Sequence, residues 1–343
     1  MTAHHAIRLQ FADEVTRECE AAPGQTVLDA ALLAGLPLLH QCRSGSCGSC
    51  AATLLAGEVD IRTTQGSTLL PAERSQGVRL LCQTEARSGC YFSLAYPSTV
   101  GGVEARGAFA FVNTVEPLTK DVMRVSLELA DEHWIDFRPG QYLQFKVPGT
   151  GTWRSYSPAS HAASLPRVDF LIKLIAGGAM SDWLTNTCRA DDVVELAGPF
   201  GQFFLREPAR APHVFLAGGT GLAPVLSMLE ALRRRGGKRP PMMLSFGCKS
   251  EAELFCLEEL ALYQQWLPGL EIRVAVERAA FGNRRLGTPV SVLTPVDFEH
   301  PETVTYVCGP PPMVDAASTL LASWGVRPTR IHSEQFAASA AST

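Results

Sequence analysis

The chain has 343 residues, enough for two or three domains, and its 46% apolar and 19% charged residues mark it as globular. Its net charge of −4 excludes nucleic acid as the main partner, because phosphate binding needs a concentrated basic surface. No apolar run reaches the roughly 18–20 residues of a membrane span. Met1–Arg8 lacks a basic region followed by an apolar core, so no signal peptide and a cytoplasmic location are expected.

In chain order, "AIRLQF" and "VTRECE" read as a strand hairpin. "GQTVLDAALLAGLPL" reads as a helix capped at Gln25-Thr26, with apolar positions at Val27, Leu28, Ala31, Leu32 and Leu33. It delivers the chain to "CRSGSCGSC", residues 42–50. Cys42, Cys47 and Cys50 have the spacing C-x4-C-x2-C, and 31 residues separate Cys50 from Cys82. With ten cysteines in the chain, the chance expectation for such a triplet is roughly 0.01.

This is the spacing of plant-type 2Fe–2S ferredoxins. Zinc is the chemical rival, but zinc ribbons present two C-x2-C knuckles, and Cys82 stands alone in "RLLCQTE" with no histidine pair nearby. A reducing compartment favours metal ligation or free thiols over disulfides. Gly45, Gly48, Ser44, Ser46 and Ser49 let the backbone curl and aim its N–H groups at inorganic sulfide, so a cluster is favoured. Cys19 and Cys90 read as packing or surface thiols.

The expected organisation is a first domain over 1–98, a linker over 99–107, a second domain over 108–208 and a third over 209–343. The second alternates apolar and polar residues in "VMRVSLEL", "GQYLQFKV" and "RVDFLIKLI", which predicts short strands of an all-β unit. "RSYSPAS" (154–160) sits at a strand edge, and "FLIKLIAGGAMSDWL" predicts a strand, Gly177-Gly178 and a helix opening near Ser181. N–H groups at that opening favour a pyrophosphate, and Arg154 adds a charge-assisted contact. Tyr156 suits a planar ring, and Ser157 a ring nitrogen. Each piece alone also reads as a Gly turn and a core tyrosine; downstream of a cluster they favour a flavin.

From His213 onward, "HVFLAGG", "PMMLSFG", "EIRVAVE" and "TVTYVCG" alternate with helical stretches "APVLSMLEALRRR", "AELFCLEELALYQQW" and "PMVDAASTLLASWG". That alternation predicts a parallel sheet with covering helices. From Gly219 the turn reads G-x-G-x-x-P, which suits tight packing or a dinucleotide equally, with Pro224 in the first helical turn. "VCGPPPMV" places Cys308 at a strand end, either beside a nicotinamide or as a small buried side chain. Arg233-Arg234-Arg235 with Lys238 reads as a complement to the helix dipole, and the Ala/Ser-rich tail after Phe336 is expected to fray.

Taken together, "CRSGSCGSC"…"LLCQ", "RSYSPAS", "AGGAMS", "GGTGLAP" and "CGPPPMV" resemble the reductase components of bacterial multicomponent oxygenases, in that family's order and over nearly all of residues 8–336. Both benzoate-type dioxygenase reductases and soluble methane or alkene monooxygenase reductases fit. The resemblance implies a β-grasp 2Fe–2S ferredoxin domain, an antiparallel β-barrel for FAD and an α/β parallel-sheet domain for NADH. It implies Cys42, Cys47, Cys50 and Cys82 as metal ligands, and Arg154, Tyr156 and Ser157 near the flavin ring. Gly178, Met180 and Ser181 would meet the FAD pyrophosphate, and Gly219, Thr220, Gly221, Cys308, Gly309 and Pro310 the nicotinamide nucleotide. Ser157 and Cys308 are the expected catalytic pair. Lys173 stands where an arginine is frequent, and "HSEQF", ending at Phe336, where an aromatic–Glu–Lys–Phe ending is frequent. Lys173 still offers a point charge to phosphate.

The expected chemistry is hydride transfer from NADH to FAD, then single electrons through the cluster to a terminal oxygenase. The loop 43–49, with His40 and Arg43 on its rim, is the expected docking face. Lys249 follows the second strand without an arginine pair, which leans to NADH over NADPH. A similar plan serves a deoxysugar dehydratase, and a redox sensor is the non-enzymatic rival. Neighbouring oxygenase genes and rapid NADH-dependent cytochrome c reduction separate these.

Overall fold

The computed structural model describes residues 4–45, 47–62, 67–69, 71–100, 105–130, 135–206, 211–237, 239–278 and 282–336. Ser46, Lys238, part of the expected linker (101–104) and the tail after Phe336 lie outside the described residues. The chain divides into two compact units, Met1–Ala105 with Phe200–Gln202, and Arg106–Pro199 with Phe203–Thr343.

In the first unit, strands β1 (His5–Gln10) and β2 (Thr16–Ala21) form the expected antiparallel hairpin. Ile7 and Leu9 alternate inward because strand side chains repeat with period two. Helix α1 (Val27–Leu33) starts at Thr26, whose hydroxyl accepts from Asp29 N at 3.1 Å and donates to the Asp29 carboxylate at 2.6 Å. Its buried face is Val27, Leu28, Ala30 and Ala31. Then come β3 (Ala51–Ala56), β4 (Val59–Ile61), the short helix α2 (Pro71–Ser75), β5 (Val78–Leu80), β6 (Thr84–Ala86) and β7 (Cys90–Ser93). The main sheet runs β2-β1-β7-β3-β5, parallel only between β1 and β7, and β4–β6 form a separate ribbon. A mixed sheet of this order wrapping one helix is a β-grasp.

The second unit opens with β8 (Arg106–Pro117), so Arg106 and Gly107 of the expected linker are already strand. β9 (Val122–Leu129), β10 (Tyr142–Lys146), β11 (Trp153–Tyr156), β12 (Arg167–Lys173) and β13 (Val193–Phe200) complete an antiparallel sheet ordered β11-β10-β13-β8-β9-β12. A bridge between Pro158 and Phe170 joins its two edges, so the sheet curls into a barrel around Val112, Leu127, Phe145 and Phe170. The short helix α3 (Ala179–Asp182) follows β12 and continues as a π-turn over Trp183–Thr187.

The parallel sheet is built from β14 (His213–Gly218), β15 (Met242–Cys248), β16 (Leu270–Val276), β17 (Arg285–Leu286), β18 (Val304–Gly309) and β19 (Ile331–Gln335), ordered β17-β16-β15-β14-β18-β19. Helices α4 (Leu222–Arg234), α5 (Leu257–Trp266) and α6 (Pro311–Ser323) connect them. The helix expected over 252–266 is interrupted: a 3₁₀ turn at Glu251–Glu253 precedes Cys256, whose φ of 58° is left-handed, and the α-helix starts only at Leu257. Arg233 and Arg234 both bond Glu230 on their own helix. Barrel residues Val122, Leu171 and Phe203 lie in one apolar core with Phe215, Leu226 and Tyr306 of the parallel sheet. Among the described residues no helix is long and apolar enough to cross a membrane.

Candidate cofactor sites

In the cysteine loop, Arg43, Gly45 and Gly48 all take positive φ, 55°, 87° and 74°. These reversals fold the segment back on itself, and only glycine adopts them without strain. Ser44 N donates to Cys42 Sγ at 3.4 Å. The second leg arrives on β5 and a 3₁₀ turn over Leu81–Gln83, which buries Cys82. Leu81 N bonds Cys50 O at 3.0 Å, and Ala51 pairs with Leu80, so the two legs are fixed against each other.

The four thiols fall into two pairs. Cys47 shares a hydrogen bond with Cys42 and is half-buried, and both effects push its thiol up. Cys50 donates to Cys82, which raises Cys50 together with burial and lowers Cys82. Among the described residues no three His, Cys, Asp or Glu side chains converge as they would on one metal ion. Two dithiol pairs are a donor set that a two-iron cluster takes. Cys19 is half-buried in the hairpin, and burial raises its thiol to about 11.

On the barrel, Tyr156 packs against Phe145 with ring centroids 5.5 Å apart. Arg154 donates to Trp153 O at 3.0 Å and is partly exposed at the same strand end. Gly178 is the residue before α3, and its N–H bonds Ile175 O at 2.9 Å. Ser181 Oγ accepts from Ile175 N at 2.8 Å, tying that turn. Met180 is 4% exposed in the barrel core, so only its main chain is left to offer a ligand. Lys173 is held by Asp121, Nζ to Oδ2 3.5 Å.

At the carboxyl edge of the parallel sheet, the glycines divide by cause. A Cβ on Gly221 would lie 2.2 Å from Cys308 O, one on Gly218 2.7 Å from Met313 Sδ, and one on Gly309 2.7 Å from Met313 Cε. Gly221 is small because the end of β18 lies against it, whereas Gly218 and Gly309 make room first for the Met313 side chain of α6. Gly219, at φ 54°, has no atom within 4 Å of such a Cβ and faces open space. Pro310 is exposed and lies against Gly218, and Phe336 N bonds Gly309 O at 2.8 Å. Cys308 is 0% exposed; burial and the nearby Glu334 raise its thiol.

Glu334 is the functional candidate that sequence reasoning missed. It pairs with Cys308 in the β18–β19 register and accepts from Ser157 Oγ at 3.3 Å, joining the barrel strand end to the last strand of the sheet. Burial raises its carboxyl to about 8, so it holds a proton at neutral pH. "HSEQF" was the only signal, and its partner lies 177 positions away.

Comparison with known proteins places three families in the same order. "2Fe-2S iron-sulfur cluster binding domain" matches residues 10–87, "Oxidoreductase FAD-binding domain" 110–205 and "Oxidoreductase NAD-binding domain" 215–319. The toluate 1,2-dioxygenase electron transfer component of Pseudomonas putida is 35% identical over 98% of this chain and 99% of its own. The propane 2-monooxygenase reductase component of Mycolicibacterium smegmatis is 33% identical over 90% and 91%. Among solved structures, the Amycolatopsis cytochrome P450 reductase is similar at a TM-score of 0.69 and 30% identity, covering 96% of this chain and 98% of its own.

Proposed function

The chain belongs to the family of electron-transfer reductase components of multicomponent oxygenases, and from that premise we propose that it delivers electrons from NADH to a terminal oxygenase that hydroxylates an aromatic or hydrocarbon substrate. When bound, FAD would supply two-electron hydride chemistry and the 2Fe–2S cluster one-electron chemistry. Cys42, Cys47, Cys50 and Cys82 would hold the cluster.

Arg154, Tyr156 and Ser157 would line the flavin ring, while the main chain of Gly178, Met180 and Ser181 would meet the pyrophosphate. Lys173 adds a positive charge at the end of β12, shared with Asp121, and Phe336 closes the carboxyl edge of the sheet. Gly219, Thr220 and Gly221 take the nucleotide phosphates, and Cys308, Gly309 and Pro310 the nicotinamide end. Positioning is most of the catalysis, since ring-to-ring contact decides the transfer. Cys308 contributes a small, dry wall. Glu334 keeps a proton beside Ser157, so no carboxylate charge stands in the site at neutral pH.

The observation that carries this reading is the Ser157–Glu334 contact, which brings the barrel's flavin candidates and the sheet's nicotinamide candidates to one place. Purified protein should show flavin bands with broad red-brown absorption, reduce cytochrome c rapidly with NADH, and co-purify with an oxygenase. Colourless protein, or a higher kcat/KM with NADPH, overturns it.

A further inference from the structure

Gln83 is 9% exposed and follows Cys82 directly. Its backbone is fixed twice, by the 3₁₀ turn and by Arg62 N, which donates to Gln83 O at 2.9 Å. Its side-chain amide has two partners in the cysteine loop. Nε2 donates to Arg43 O at 3.2 Å and to Cys82 Sγ at 3.8 Å. Its Cγ lies 3.2 Å from where a Cβ on Gly45 would stand, so it packs on the left-handed turn of the loop. An amide this constrained is a fixed dipole aimed at sulfur.

We propose that Gln83 is a positioning residue that sets the reduction potential of the cluster, through the hydrogen bond to Cys82 and the clamp on the Arg43 carbonyl. The inference rests on the reading of Cys82 as an iron ligand. A donor to a ligating sulfur favours the reduced cluster, which carries one more negative charge. Gln83→Met keeps the packing on Gly45 and removes the donor. Gln83→Glu keeps the shape and turns an acceptor toward the sulfur.

The test is a redox titration of the full-length protein, followed by the cluster's visible absorption and by the EPR signal of its reduced form. In Gln83→Met the one-electron equilibrium should move about tenfold toward the oxidised form, a fall of about 59 mV. Gln83→Glu should move it further in the same direction. A Gln83→Met variant that holds its cluster at the wild-type potential overturns the proposal. Failure of both variants to assemble a cluster, beside a loaded wild type, also overturns it, since Gln83 would then only hold the loop. Wild-type protein without red-brown colour would instead refute the cluster itself.

Discussion

The cysteine loop and the glycine edge of the parallel sheet look alike in sequence, small residues around a reactive one, but the residues are small for opposite reasons. In the loop, Gly45 and Gly48 are needed for backbone direction, at φ 87° and 74°. At the edge, Gly221 is needed because a neighbouring carbonyl leaves no space, a Cβ there falling 2.2 Å from Cys308 O. The first kind of glycine shapes a cradle for a ligand; the second brings two strand ends together so that a ligand can lie across them. Gly219 sits at the edge yet is of the first kind, with a left-handed φ of 54° and no atom within 4 Å of a Cβ placed there.

The widest separation of the two regions should come from Cys50→Ser. It should abolish the red-brown absorption and cut cytochrome c reduction on the order of 100-fold or more. Ferricyanide reduction at the flavin should persist; parallel loss of both would merge the regions. Next, Gly221→Ala should cost about 3 kcal/mol, because the backbone of β18 must move. Gly219→Ala should cost about 1–2 kcal/mol for its φ and raise KM for NADH. Equal urea midpoints for the two variants would erase the distinction.

Glu334→Gln sharpens the edge further. Its carboxyl is raised from 4.5 to about 8, so the stability it contributes is complete below 4.5 and is lost as pH rises through 8. The Gln variant should lose that decline in urea midpoint, which runs between pH 4.5 and 8, while kcat falls about tenfold. An unchanged decline over that window would remove Glu334 from the site. The smallest effect, absent at neutral pH, belongs to His213. It is 1% exposed, neither ring nitrogen is bonded among the described residues, and burial lowers it from 6.5 to about 4. Its contribution is complete above 6.5 and lost as pH falls through 4. His213→Phe should therefore shift the acid-unfolding midpoint downward, read by circular dichroism.

The thiols were legible because ligand spacing is local: "CRSGSCGSC" carries its meaning in nine residues. The strands were legible for the same reason, through period two. Glu334 was not, since nothing in "HSEQF" says that β11 ends opposite it. The start of α5 was misplaced because the left-handed turn at Cys256 follows from tertiary context, where Arg124 of the barrel donates to its sulfur at 3.2 Å. Gln83 was visible in "LLCQ", but its reach to Arg43 spans 40 positions.

The core that Val122, Leu171 and Phe203 share with Phe215, Leu226 and Tyr306 has a practical corollary for dissection. Barrel and parallel sheet should melt as a single calorimetric transition, and a chain cut between them should leave both pieces insoluble. Shuffling modules between such reductases should therefore move this pair as one cassette.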